Sequence, residues 1–199
     1  MNDDARDRRR RAAVAGHTGD RATAEAAWDD ADPRVRIAAM RSLDRLGDLR
    51  ESVLGAALAD PDPGVRIAAL ELAARRDGPP VRALLDDTEP MVVEAAAWAL
   101  GERPGPDEAT ITALATVATD HDDPLVREAA VAALGAIGDV RGLEAILTAT
   151  RDKPAVRRRA VLCLAPFEGP EVDAAFARAR EDRDRQVRDA VDELLGPLD

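Results

Sequence analysis

A valine recurs six times along this chain, at Val35, Val65, Val92, Val126, Val156 and Val187, at intervals of 30, 27, 34, 30 and 31 residues. Its neighbours recur with it. Two positions earlier stand Pro33, Pro63, Pro90, Pro124 and Pro154, with Arg185 in the sixth copy. Three positions earlier stand Asp32, Asp62, Glu89, Asp123, Lys153 and Asp184. One position later come Arg36, Arg66, Val93, Arg127, Arg157 and Arg188; four later come Ala39, Ala69, Ala96, Ala130, Ala160 and Val191; eight later come Leu43, Ala73, Leu100, Leu134, Leu164 and Leu195. Self-similarity at a fixed period marks stacked supersecondary units, none of which can bury its apolar face alone.

The copy from Asp123 to Asp139 states most fully what each unit contains. Asp123 suits an N-cap, because its carboxylate can accept an orphan amide of the first turn. Pro124 then falls at the first helical position, where a missing N–H costs nothing. Val126, Ala130, Leu134 and Ile137 form one apolar stripe at helical spacing. Gly138 can adopt the left-handed conformation that ends a helix. The segments between these inner helices also carry helical stripes, as in Leu49–Ala59, Val81–Asp86 and Glu108–Thr119. Each unit therefore reads as outer helix, acidic turn, inner helix and short turn.

Composition agrees with an all-α chain. Apolar residues make up 46%, aromatic residues only 2%, and there is no Tyr. That balance favours Ala-rich helices over strands, which draw on aromatic and β-branched residues. No apolar run approaches the roughly 18 residues of a membrane span. The net charge of −11 disfavours nonspecific attachment to nucleic acid or to an anionic membrane. Cys163 is the sole cysteine, so no intrachain disulfide forms. The charged N-terminal stretch lacks the apolar core of a signal peptide. The expectation is a cytoplasmic monomer. Residues 1–199 read as one repeat domain: a cap over 1–19, then six repeats over 20–196 with inner helices beginning near 33, 63, 90, 124, 154 and 185. In the cap, Arg8, Arg9, Arg10 and Arg11 read as the polar outer face of a terminal helix, with a nucleic-acid tether as the weaker alternative. Asp189, Asp192 and Glu193 make the last inner helix polar in the same way.

The phrase D-P-x-V-R-x-A-A, carried by Asp32–Ala39, Asp62–Ala69 and the copy beginning at Asp123, resembles HEAT repeats, particularly the short HEAT-like type also found in phycobilisome lyases. The resemblance covers roughly residues 20–196. It implies a right-handed α-solenoid of about six two-helix repeats plus an N-terminal capping helix, with inner helices on the concave face and protein binding as the commonest use. It also implies a ladder in which a turn aspartate and an inner-helix arginine link neighbouring repeats. The matching positions are Asp30, Asp60, Asp87 and Asp182, with Arg36, Arg66, Arg127, Arg157 and Arg188. The third repeat departs at Val93. The fourth and fifth depart at His121 and Arg151, with Asp122 and Asp152 one residue away.

Signals for catalysis are thin. His17 and His121 are the only histidines, and no Cys/His cluster has zinc-ligand spacing. Cys163 lies on an apolar helix with no base nearby in sequence, which suits a small buried hydrophobe better than a nucleophile. The paired acids recur at the turns, where capping accounts for them. No cofactor, metal or catalytic residue is expected. The alternative is an accessory or catalytic HEAT-like protein, such as a tetrapyrrole lyase-like factor or an alkylpurine DNA glycosylase. The leading expectation is a noncatalytic scaffold or adaptor whose partner is another protein or peptide. The inner-helix positions opposite the apolar stripe, two and six residues after each valine, include Arg41, Ile67, Glu71, Glu94, Trp98 and Glu128. Trp98 reads either as the anchor of that surface or as filling between repeats; Trp28, on an outer helix, reads as core.

Overall fold

The computed structural model describes residues 3–76, 78 and 80–196, with only the backbone of Asp3. Among them every regular element is a helix. Two compact units divide the chain, Met1–Val81 and Arg82–Asp199.

The first unit contains α1 (Asp3–Thr18), α2 (Arg21–Ala27), α3 (Pro33–Arg45), α4 (Glu51–Leu58) and α5 (Pro63–Ala73). Helix α1 packs on α3, α2 on α1 and α3, α3 on α5, and α4 on α5. Ala15, Ala24, Leu43 and Val53 form a buried cluster, against which Trp28, Leu46 and Leu49 pack. Trp28 is thus part of the core, as its outer-helix position suggested. The α1–α3 crossing is close: a Cβ on Gly16 would lie 2.8 Å from the Cα of Ser42. The Ser42 hydroxyl, fully buried, donates to the carbonyl of Ala12 at 2.7 Å, so the close approach leaves no orphaned donor.

The second unit opens with most of a 3-10 segment (Val81–Asp86), which stands where the third outer helix was expected. It continues with α6 (Pro90–Gly101), α7 (Glu108–Asp120), α8 (Pro124–Ile137), a 3-10 turn (Val140–Gly142), α9 (Leu143–Ala149), α10 (Pro154–Cys163), α11 (Pro170–Arg180) and α12 (Arg185–Leu195). The inner helices stack in order, α6 on α8, α8 on α10 and α10 on α12, while α7, α9 and α11 pack alongside. Small residues permit the contact. A Cβ on Gly101 would lie 2.9 Å from the Cα of Ala133, and one on Gly135 would lie 2.4 Å from the sulfur of Cys163.

The inner helices begin at Pro33, Pro63, Pro90, Pro124, Pro154 and Arg185. Asp32, Asp62, Asp123 and Asp184 cap them by accepting first-turn amides, whereas Glu89 and Lys153 make no side-chain cap. Gly138 ends α8 at φ 66°, in the left-handed region its position called for. No described helix is long and apolar enough to cross a membrane. The protein is an all-α solenoid built from helical hairpins.

Candidate binding surface

A ladder of arginines links neighbouring repeats beside the inner-helix starts. Arg36 donates from Nε and Nη2 to the two carboxylate oxygens of Asp60, at 2.9 and 2.7 Å. Its third nitrogen, Nη1, donates to the carbonyl of Asp30 at 2.9 Å, in the turn that precedes its own helix. One guanidinium thus satisfies a turn in its own repeat and an acid in the next. Arg127 repeats this with Asp152, at 2.6 and 2.7 Å, and with the carbonyl of His121 at 2.6 Å. Arg157 repeats it with Asp182, at 2.8 and 2.7 Å, and with the carbonyl of Asp152 at 2.7 Å. Two parallel charge-assisted bonds draw on the planar fork of arginine, which a lysine ammonium does not supply.

The aspartates work equally hard. Asp30, Asp60 and Asp182 each accept the amide two residues ahead, at 2.9, 2.9 and 2.8 Å, which shapes the turn before the inner helix. The Arg157 fork, opposed by burial, holds the carboxyl of Asp182 below the usual carboxylate range. At Asp60 burial is the largest influence and pushes upward, but the Arg36 bonds and the Asp62 amide together outweigh it and the net shift is downward.

Two expectations about the ladder change, and the departure at Val93 and His121 is as the sequence read it. Arg8 is not merely part of a polar outer face: it donates to Asp30 from Nε and Nη2, at 2.6 and 3.2 Å, so α1 occupies the register of an inner helix. The fifth repeat does not depart, because Asp152 takes the rung from one residue further on and accepts the amide of Lys153 instead. In the fourth repeat His121 stands at the aspartate position, and its Nδ1 accepts the amide of Asp123 at 3.1 Å. Val93, buried at 1% exposure, stands at the arginine position that would serve it. The rung is replaced at both ends, so neither charge is left alone. Arg66 donates to the carbonyls of Asp60 and Pro61 at 2.9 and 3.2 Å, and Asp87 accepts the amide of Glu89 at 2.9 Å. Arg188 donates to the carbonyl of Asp182 at 2.6 Å.

The expected partner-binding residues fall three to each unit. In the first, Arg41 pairs with Glu71 at 2.7 Å while both remain about half exposed, at 52% and 48%, and Ile67 is half-buried. Such an exposed pair contributes little to stability. In the second, Glu94 is exposed, and Glu128 is half-buried and accepts from Arg159 at 3.4 Å. Trp98 is 43% exposed, which resolves its two readings against complete burial between repeats.

Two further residues belong with it. Met91 and Leu125, each one position before its anchor valine, are 70% and 59% exposed. Met91, Glu94 and Trp98 follow the spacing i, i+3, i+7, as do Leu125, Glu128 and Ala132, so each set forms one stripe on its helix. Helices α6 and α8 pack directly together. Extending the column one turn toward each helix start would have found Met91 and Leu125.

Cys163 is half-buried rather than fully enclosed, and burial pushes its thiol up to about 11, so it stays protonated near neutrality. Among the described residues no group of three or more His, Cys, Asp or Glu side chains is placed to hold a metal ion.

Residues 51–135, 79–155 and 111–196 each match the family model for HEAT repeats. No protein of curated function matches the sequence. Among solved structures the chain is similar to a designed armadillo repeat protein in complex with the peptide (KR)4, at 16% identity and a TM-score of 0.61, over 86% of this chain and 96% of that one. It is also similar to human deoxyhypusine hydroxylase in complex with glycerol, at 22% identity and a TM-score of 0.50, over 94% of this chain and 77% of that one. At these identities the likeness is one of fold.

Proposed function

The chain belongs to the HEAT-repeat family, and from that premise we propose that it is a noncatalytic scaffold that binds another protein or peptide through its inner-helix face. The observation that carries the proposal is the exposure of Trp98 at 43%, on an inner helix whose same stripe presents Met91 and Glu94. A large aromatic side chain left in water on a rigid helix is the usual anchor of a recognition surface. Met91 and Leu125 extend the apolar area, and methionine adapts its shape to a partner. Glu94 and Glu128 surround the apolar residues with acid, which suits a segment with apolar anchors and basic flanks. The designed armadillo repeat protein, similar in fold, holds a basic peptide. The noncatalytic part of the proposal is supported by the high pKa of Cys163 and by the use of the turn acids in caps and rungs.

The test is selection from a displayed random-peptide library against the whole chain, with Trp98→Ala and Met91→Ala as comparisons. Peptides should enrich on the native chain and lose at least about tenfold in affinity on Trp98→Ala, equivalent to roughly 1.4 kcal/mol. Binding to Trp98→Ala as tight as to the native chain, or no enrichment, would remove Trp98 and its stripe from the role.

A further inference from the structure

Charge is divided unevenly between the two units. Residues 1–81 hold 14 arginines and 15 acids, whereas residues 82–199 hold 14 basic and 24 acidic side chains, so nearly all of the net charge of −11 belongs to the second unit. Many acids of the first unit serve its turns. Asp20, Asp32 and Asp62 cap helices, and Asp30 and Asp60 accept turn amides while holding ladder arginines. The inner-helix face opposite the buried stripe is left largely to arginine.

Helix α3 carries most of it. Arg34, Arg41 and Arg45 follow the spacing i, i+7, i+11 and so share one stripe, and all three are exposed. Arg9 on α1, one after the ladder residue Arg8, is exposed at the register place of Ile37 on α3 and Ile67 on α5. Arg75, exposed in the turn after α5, has the register place of Arg45. Among the described residues no carboxylate pairs with Arg9, Arg45 or Arg75. An acid does stand in this face at Glu71, and it meets Arg41 at 2.7 Å. Ile37 and Ile67, both half-buried, lie one turn before Arg41 and Glu71. The Cδ1 of Ile37 is 3.9 Å from where a Cβ on Gly64 would stand, so it occupies the seam between α3 and α5.

We propose that this face binds an acidic peptide segment, whose carboxylates pair with Arg9, Arg41 and Arg45 while an apolar side chain rests on Ile37 and Ile67. A guanidinium fork matches a carboxylate, and Glu71 already holds Arg41 as a partner's acid would. Packed helices lie about 8–10 Å apart, and an extended chain advances about 3.3 Å per residue, so an acid at every third residue meets one helix after another. Nucleic acid fits less well. Single-stranded bases stack on aromatic side chains, and Trp28, the aromatic residue of the first unit, packs in the core. The net charge of −11 also opposes an uninterrupted polyanion. The surface goes beyond the scaffold role drawn from Trp98 and stands without it, because it lies in the other unit.

The test is fluorescence anisotropy of the whole chain with a labelled peptide of about twelve residues repeating Glu-Glu-Leu, at low salt. A Lys-Lys-Leu peptide and an oligothymidylate of the same length serve as comparisons. The acidic peptide should saturate, with both comparisons at least about tenfold weaker. Arg41→Glu/Arg45→Glu should lower affinity at least about tenfold, whereas Arg151→Glu/Arg178→Glu, an equal charge change in the second unit, should lower it less than about twofold. Glu71→Gln removes the competing carboxylate and should tighten binding at least about twofold, a result that a misfolded variant does not give. Trp98→Ala should bind the acidic peptide as the native chain does, so this proposal and the Trp98 reading fail separately. Absent binding, tighter binding of oligothymidylate, equal losses for the two arginine pairs, or a Glu71→Gln variant that binds no tighter overturns the proposal.

Discussion

Arg36 and Asp60 meet through two parallel bonds of 2.9 and 2.7 Å, at side-chain exposures of only 14% and 8%. The pair is worth keeping together more than either partner is worth alone. A lone buried carboxylate or guanidinium loses solvation that nothing else restores.

Arg36→Ala should therefore lower unfolding stability by about 2–3 kcal/mol, and Arg36→Lys by about 1–2 kcal/mol, since lysine retains charge but loses the fork. Urea denaturation followed by circular dichroism measures both. An Arg36→Lys variant as stable as the native chain would mean that the planar geometry contributes nothing.

The absent rung offers a complementary experiment. Val93→Arg alone buries an unpaired cation, and His121→Asp alone leaves an acid without its arginine. The double variant rebuilds the arrangement seen at Arg127 and Asp152. Its stability should exceed the sum of the single effects by a coupling of about 1–2 kcal/mol in a double-mutant cycle. Strict additivity would show that the two positions do not face each other.

Glycines separate by what stands opposite them. Gly101→Ala sets a Cβ 2.9 Å from the backbone of Ala133, and overpacking should cost about 1–3 kcal/mol. Gly55, inside α4, has nothing within 4 Å of the added methyl. Gly55→Ala should instead raise stability by about 0.5–1 kcal/mol. Thermal melts of the two variants should move in opposite directions.

Acid should weaken the fold through the ladder. Arginine bonds are the largest influence lowering the carboxyls of Asp30, Asp152 and Asp182, and at Asp60 they help overcome the upward push of burial. A folded-state pKa below the unfolded value contributes stability that is present above about pH 4 and lost as pH falls through the folded value. The urea midpoint should stay level from about pH 7 to pH 5 and then decline below about pH 4. Asp182→Asn should start lower and lose less over the acid range. An identical acid slope for this variant would remove Asp182 from the linkage.

The amino-acid sequence by itself determined the helix starts, the repeat phase and the buried columns. Those features are local: an aspartate caps an amide two or three residues ahead, proline suits the first helical position, and a stripe repeats at the helix's own spacing. The resemblance of its repeats to HEAT repeats also implied rungs at Arg36, Arg66, Arg127, Arg157 and Arg188, of which Arg36, Arg127 and Arg157 each meet an aspartate of the next repeat through two bonds. Only the tertiary structure decided that Arg8 joins the ladder, that Asp152 replaces the expected acid, and that Val93 and His121 vacate a rung together. Those pairings depend on where two separate helices place their side chains, so the sequence shows Asp152 one residue from its column but does not assign it the rung. The same holds for Trp98, Met91 and Leu125. A residue's place on a helix face follows from its number, but its exposure depends on what the neighbouring helices leave uncovered.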